Sequence, residues 1–297
     1  LSDIVTGITD VLWRVTTEET GSRAGRPCHF FTPHFHRRQT GMLLVIDVGN
    51  TNMALGVYDG PQLVTSWRLT TNRERTVDEL GILCRNLFNL AGLEFRVVEA
   101  IVISSVVPTL NFPLRKMAAT YFQIEPLFID AATPTGMPIR YDNPMDVGAD
   151  RIADGVAALA KYGRPCVVVD FGTATTLDVI SKEGEYLGGI IAPGIAISAE
   201  ALFLRAAKLP RVDIAHPSSV IGTSTVSSIQ SGLYYGYISL VDGLLERLLT
   251  ELGEQTKVIA TGGLSHLIGR ASKYIQTIDD NLTLEGMRLI YERNAGR

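Results

Sequence analysis

Several things are scarce in this 297-residue sequence, and each absence excludes something. Only three cysteines occur, Cys28, Cys84 and Cys166, far apart and with no C-x-x-C pair, so neither a disulfide framework nor a cysteine-rich zinc site is indicated. A reducing compartment, the cytoplasm, fits this usage. No apolar run approaches the roughly 20 residues a membrane-spanning helix needs. Charged residues make up 20% of the chain and sum to a net charge of −4, with no basic stripe, so long-range attraction to nucleic acid or anionic lipid is not expected. The common nucleotide devices are missing as well. There is no G-x-x-x-x-G-K-[ST] and no G-x-G-x-x-G after a strand, and neither H-E-x-x-H nor G-x-S-x-G occurs.

The length, with 46% hydrophobic residues, suits two ordinary domains or one large one. Residues 1–41 stand apart. They hold three of the five histidines, no lysine and no helical or strand periodicity, and Met42 directly precedes the first clean strand. This segment is expected to lie outside the fold, as a leader or an upstream-extended start. A zinc site on Cys28, His29, His34 and His36 is the alternative, weakened by the lack of further ligands at matching spacing.

From Met42 onward short apolar strands alternate with amphipathic helices. Strands are expected at 42–48, 53–59 and 62–70, then a helix from Val77 with a capping box on Thr76 and Glu79, ending at Gly92. A buried strand at 100–107 follows, a helix opened by Pro108, a strand at 125–130, a loop rich in Pro and Gly, and a helix over 148–163. After Pro165 the plan restarts with three strands, helices near 196–208 and 226–252, a strand with a glycine turn at 257–264, and a helix at 283–294. Such alternation implies an α/β fold with sheets covered on both faces. Two similar domains are expected, 42–160 and 161–297, with a cleft between them.

Each half opens on the same step. "LLVIDVGNTN" (43–52) and "VVVDFGTATT" (167–176) both run from an apolar strand into Asp-x-Gly and then hydroxyl or amide residues. One such step alone is an ordinary hairpin turn as readily as a ligand site. The repetition favours a ligand. Turns of this kind gather backbone N–H groups into anion-binding concavities, with Asn50, Thr51, Thr173 and Thr175 adding side-chain donors. Asp47 and Asp170 would place negative charge beside phosphates, which requires a cation between them. Two such hairpins facing each other would grip a polyphosphate from both sides.

These two hairpins, with the late "ATGGL" turn (260–264), resemble those of the actin, Hsp70 and sugar-kinase superfamily. More closely, "DVGNTN", "YDNPMDVGADR", "VVDFGTATTLDVI", "GGIIAPGIAISAEALFLRAAKLP" and "IGTSTVSSIQSGLYYGY" are similar, in order, to the type III pantothenate kinases. The resemblance implies two ribonuclease H-like, actin-like domains with mixed sheets flanked by helices and a nucleotide cleft between them. It implies transfer of phosphate from ATP to pantothenate, with another small-acid or sugar kinase, or a transcription accessory factor of the same family, as alternatives.

Residue by residue, the resemblance places ATP contacts on Asp47, Val48, Gly49, Asn50, Thr51, Asn52, Met53 and Ala54, and on Thr173. Asp47 is implied to hold Mg²⁺ through water, and Asp170 a monovalent cation, K⁺ or NH₄⁺. Asp150 matches the proton acceptor. Read locally it is a helix-start acid, favoured in its ionised form by the helix dipole. Tyr141, Gly148, Ala149, Asp150, Arg151 and Thr225 match substrate positions. Read locally, Arg151 suits a surface ion pair, Tyr141 loop packing, and Thr225 an N-cap, which is compatible with a substrate contact. The 226–252 helix is apolar on more than one face, as a core helix is; the resemblance adds a homodimer interface. No nucleic-acid or membrane partner is expected.

Overall fold

The computed structural model describes residues 41–253 and 255–295. The expected leader and the Cys28–His36 zinc alternative lie outside these residues. Two five-stranded sheets form the frame, and they share one plan. The first is built from β1 (Met42–Val48), β2 (Asn52–Asp59), β3 (Gln62–Thr70), β4 (Val98–Ser105) and β5 (Leu127–Phe128), ordered β3-β2-β1-β4-β5. The second is built from β6 (Cys166–Phe171), β7 (Ala174–Ile180), β8 (Tyr186–Pro193), β9 (Lys257–Thr261) and β10 (Thr277–Ile278), ordered β8-β7-β6-β9-β10. In each sheet the first three strands are an antiparallel meander, and the last two add in parallel on the other side of the first. The repeated Asp-x-Gly step is therefore the turn between the first and second strand of each sheet.

Seven α-helices cover these sheets among the described residues: α1 (Val77–Leu90), α2 (Pro108–Met117), α3 (Ala149–Tyr162), α4 (Ile195–Arg205), α5 (Thr225–Leu252), α6 (Ser265–Ile268) and α7 (Leu282–Ala295). The capping box at α1 is present, with Glu79 N–H donating to Thr76 Oγ1 at 3.3 Å and Thr76 N–H to Glu79 Oε2 at 2.7 Å. Past Met117 the backbone of α2 widens into a π turn over 118–122, closed by Gln123 at φ +60°. The strand expected at 125–130 pairs over only two residues, and β10, equally short, carries no alternation that would betray it.

Strand alternation sorts the core into layers. Successive strand residues face opposite ways. On β1, Leu44, Ile46 and Val48 pack against Leu80 and Phe88 of α1 and Leu110 and Leu114 of α2. Leu43 and Val45 face the other way, onto Ile152 and Ala153 of α3 and Leu284 and Met287 of α7. On β6, Cys166 and Val168 join that same α3–α7 cluster, while Val167, Val169 and Phe171 turn toward Tyr234, Tyr237, Val241 and Leu245 of α5. The helices α3 and α7 thus form a middle layer that both sheets face. They approach closely: a Cβ on Gly286 would stand 1.9 Å from the Ala153 carbonyl oxygen. Asp47 continues the Leu43–Val45 face and Asp170 the Cys166–Val168 face, so parity alone aims both acids at the middle layer.

Candidate active site

At the N-terminal end of the middle layer the two hairpins meet. The Thr51 and Thr173 hydroxyls are 2.7 Å apart, although 122 residues separate them in sequence. Each turn is braced from behind. Gly49 N–H donates to Asn52 O at 3.0 Å, and Thr71 donates its hydroxyl to Gly49 O at 2.7 Å. Arg73 Nη2 donates to Asn50 Oδ1 at 2.9 Å, and Gly172 N–H donates to Ala174 O at 3.1 Å. Met53 is buried beneath the first turn, while Thr51 and Asn52 are exposed.

Three acids gather around this junction. Asp47 is half-buried and accepts the Ser104 hydroxyl at 2.8 Å from β4, the strand it neighbours in register. Asp170 lies against the glycine turn after β9, where a Cβ on Gly262 would sit 2.3 Å from its Oδ1. Asp150 stands in the first turn of α3. Gly148 is the N-cap residue and supplies no side chain, so Asp150 is not the cap; its Oδ1 accepts the Arg151 N–H at 2.8 Å. A Cβ on Gly148 would lie 2.5 Å from that oxygen, so glycine there makes room for the carboxylate.

The electrostatics follow from this crowding. Burial, and then the charge of Asp150, push Asp47 up to about 7, with the Ser104 hydrogen bond and Arg68 pulling back. Burial raises Asp170 to about 7 also, reinforced by Asp150, Asp47 and Asp178. Asp150 is raised by burial first and by Asp178 in addition. The helix dipole was expected to favour its ionised form; desolvation outweighs that, because the dipole acts at the helix end while burial removes water from the whole carboxyl.

Arg151 makes no surface ion pair. It turns inward to Asp178 on β7, with Nε donating at 2.7 Å and Nη2 at 2.6 Å from the same oxygen. That second nitrogen is not aligned to donate there and meets no other acceptor, so one buried donor is unspent. Asp178 is also held by the Tyr186 hydroxyl at 2.6 Å and the Thr176 hydroxyl at 2.9 Å. The Tyr141 ring stands 6.4 Å from the Tyr186 ring, and the Arg151 guanidinium 5.8 Å from that same ring. Tyr141, Arg151 and Asp150 are thereby brought to one side of the junction.

Thr225 is placed elsewhere. It is the first residue of α5, one past the N-cap, because Ser224 takes the cap and forms a box with Ser227. With Leu202, Gly222, Ile229 and Leu233 it lines an open cavity of about 820 Å³. Among the described residues no hydrogen bond or ion pair links it to Asp150 or Tyr141.

Sequence reasoning passed over Ser104, Asp154, Asp178 and Tyr186. Asp178 carried a signal, a charged residue inside the apolar strand run "TTLDVI", where acids are seldom left without a partner. Asp154, one turn along α3 from Asp150, is buried, and Thr283 of α7 stands close enough to stabilise its charged form in part.

A doubled strand order, with hydroxyl-bearing turns touching between the copies and acids at their junction, is the architecture of the actin-like phosphotransferases. The family model described as type III pantothenate kinase matches residues 43–247, and the chain belongs to that family. A type III pantothenate kinase of Koribacter versatilis is 57% identical over 85% of this chain and 96% of its own. Those of Geobacter sulfurreducens and Halalkalibacterium halodurans are each 54% identical, over 85% and 86% of this chain and 99% and 100% of theirs. Among solved structures, a conserved Baf family protein of Campylobacter jejuni, described as a transcriptional activator, matches with a TM-score of 0.52 at 21% identity, over 86% of this chain and 100% of its own. A reductive activator for a corrinoid, iron-sulfur protein matches at 0.51 and 14%, over 87% and 62%. At those identities the likeness is one of fold.

Proposed function

We propose that the junction of the two hairpins is where this kinase works, and that Asp150 accepts the proton of the attacking hydroxyl. The enzyme phosphorylates pantothenate with ATP, the first step of coenzyme A biosynthesis. The observation that carries the site assignment is the 2.7 Å meeting of Thr51 with Thr173. It brings the turn from Asp47 through Ala54 face to face with the second turn, and both can then hold one polyphosphate. Phosphoryl transfer asks chiefly for an aligned hydroxyl and stabilised charge, and a carboxylate near the acceptor serves for the proton. A raised pKa brings Asp150 closer to the range a general base needs.

The residues fit bound cations. Asp150 raises the pKa of both Asp47 and Asp170, and Asp47 that of Asp170, because like charges share a partly desolvated corner, and a cation relieves that cost. Among the described residues no three His, Cys, Asp or Glu side chains form a metal cage. That suits Mg²⁺, which usually takes one or two carboxylates and completes its shell with water and substrate phosphates. Asp47 would hold Mg²⁺ through water, and Asp170 a monovalent cation, K⁺ or NH₄⁺. When bound, these ions neutralise charge on the transferred group. A coupled assay with ATP and pantothenate tests this: activity is expected with Mg²⁺ plus K⁺, and equal rates in Na⁺ and K⁺ buffers would remove the role given to Asp170.

For pantothenate, the charge of the Arg151 guanidinium suits the carboxylate, with Tyr141 and the Gly148–Ala149–Asp150 backbone beside it. Thr225 belongs to the same substrate if a second copy of the chain completes the site. Support for a homodimer is the apolar surface of this region, where Leu202, Leu204, Val220, Ile221 and Val226 are exposed. Light scattering tests it; a fully active monomer is the opposing result. No helix among the described residues is long and apolar enough to cross a membrane. A cytoplasmic location is supported instead by the cysteines, of which Cys84 and Cys166 are free and buried. The repeated strand order likewise supports two domains divided near residue 160.

A further inference from the structure

Arg68 lies on β3, two strands away from β1. The pairing register places it opposite Ala54 on β2, which is opposite Asp47 on β1, which is opposite Ser104 on β4. These four residues form one row across the sheet, on the face that looks toward the middle layer. Ala54 is the only small side chain between Arg68 and Asp47, so a long side chain on β3 can lie across it.

A second observation locates the far end of that side chain. A Cβ on Gly263, in the turn after β9, would be 3.2 Å from Arg68 Nη1. The guanidinium of the first sheet therefore rests against the glycine turn of the second, beside the corner occupied by Asp170. Its charge is felt on both sides, lowering Asp47 and Asp170 alike. Among the described residues Arg68 makes no hydrogen bond or ion pair, and the residue is exposed. By contrast Arg73, the other arginine at the first hairpin, is committed to Asn50 at 2.9 Å.

We infer that Arg68 is a nucleotide-binding residue, whose guanidinium engages the polyphosphate of ATP across Ala54, between the first hairpin and the glycine turn after β9. Guanidinium presents a planar fork of donors matched to phosphate oxygens, and charge-assisted bonds of that type are the strong ones. The three acids closing on this corner, Asp47, Asp150 and Asp170, repel a polyphosphate, and Arg68 is the cation whose charge bears on both Asp47 and Asp170. The glycine at 263 keeps the approach clear. The inference rests on the reading that the nucleotide phosphates lie between the two hairpins.

The test is equilibrium binding of adenosine, ADP and ATP, with Mg²⁺ and K⁺ present, to the wild type and to Arg68→Gln, Arg68→Lys and Thr173→Ala. Arg68→Gln is expected to weaken ADP and ATP by about 10–100-fold and to leave adenosine within about twofold. Arg68→Lys, which keeps the charge and loses the fork, should fall between. An equal loss for adenosine and ATP, or no loss for any of them, overturns the inference. If Thr173→Ala and Arg68→Gln are both silent, the hairpin reading itself fails; if only Arg68→Gln is silent, Arg68 alone is misassigned. The exposed position predicts a nucleotide-free melting temperature near wild type. Should the glutamine variant fail to fold, Arg68→Lys decides by the same comparison.

Discussion

Thr51 and Thr173, one from each hairpin, spend their hydroxyls on each other at 2.7 Å. A phosphate placed between the turns offers both hydroxyls an anionic acceptor, so the bond is exchanged rather than lost. Thr173→Ala should therefore weaken ATP binding by about tenfold, the worth of one hydrogen bond to a charged group. Thr173→Ser should restore most of it. Stability should hardly change, because Thr51 is exposed and Thr173 half-exposed. Calorimetric titration with ATP reads this out, and an alanine variant binding as tightly as wild type rules out the contact.

Asp150→Asn separates proton acceptance from architecture. Asparagine can still accept the Arg151 N–H that Asp150 accepts at 2.8 Å, and Gly148 still leaves it room. Single-turnover phosphorylation should slow by about 10²–10⁴-fold while ATP affinity and melting temperature stay close to wild type. A near-normal single-turnover rate would exclude Asp150 as the proton acceptor.

The Arg151–Asp178 pair should prove a strong structural bond as well as a positioning one. Asp178 is fully buried and takes the Arg151, Tyr186 and Thr176 donors together. Asp178→Asn strands a buried guanidinium, so unfolding should need about 3 kcal/mol less. The KM for pantothenate should rise as Arg151 loses its anchor, with little change in ATP affinity. Denaturant unfolding checks the first claim and steady-state kinetics the second; an unshifted unfolding midpoint contradicts the first, and an unchanged KM the second.

Asp154 yields a pH prediction. Burial first, then the charge of Asp170, raise its pKa well above 3.8, and Thr283 offsets this in part. One of its oxygens has no hydrogen-bond partner, a smaller cost for a neutral carboxyl than for a carboxylate. A folded-state pKa above the unfolded value contributes stability that is complete below about pH 4 and is lost as pH rises toward the folded value. Asp154→Asn removes that loss. The melting temperature of the variant relative to wild type should therefore climb with pH from about 4 upward. A difference that stays flat from about pH 4 to 8 would show that the folded acid titrates normally.

Much of this could be read from residues in order. The meander strands, the Thr76 box and the two Asp-x-Gly turns are local signals, and alternation carried most of the core. What escaped was set by partners distant in sequence. Nothing within "TTLDVI" says that Asp178 waits for Arg151, 27 residues away. Arg68 reads as the outward residue of a half-exposed strand until pairing through Ala54 sets it in the Asp47 row. Thr225 is one residue off the cap because Ser224 and Thr225 are both capping residues, and the stronger preference for Ser, with Ser227 three positions on, favours the former.

The helix α7 bears on how this protein is made. It is the last element of the described chain, yet Leu284 and Met287 pack against Leu43 and Val45 of the first strand. During synthesis on the ribosome, the inward face of the opening sheet is thus covered in two steps, first by α3 and only later by α7. That face is apolar, and the α7 half of its covering lies more than 230 residues downstream, from Leu43 to Leu284. A nascent chain halted between α3 and α7 would present a half-covered sheet to chaperones, and a frameshift in α7 would injure the first strand as well as the last helix.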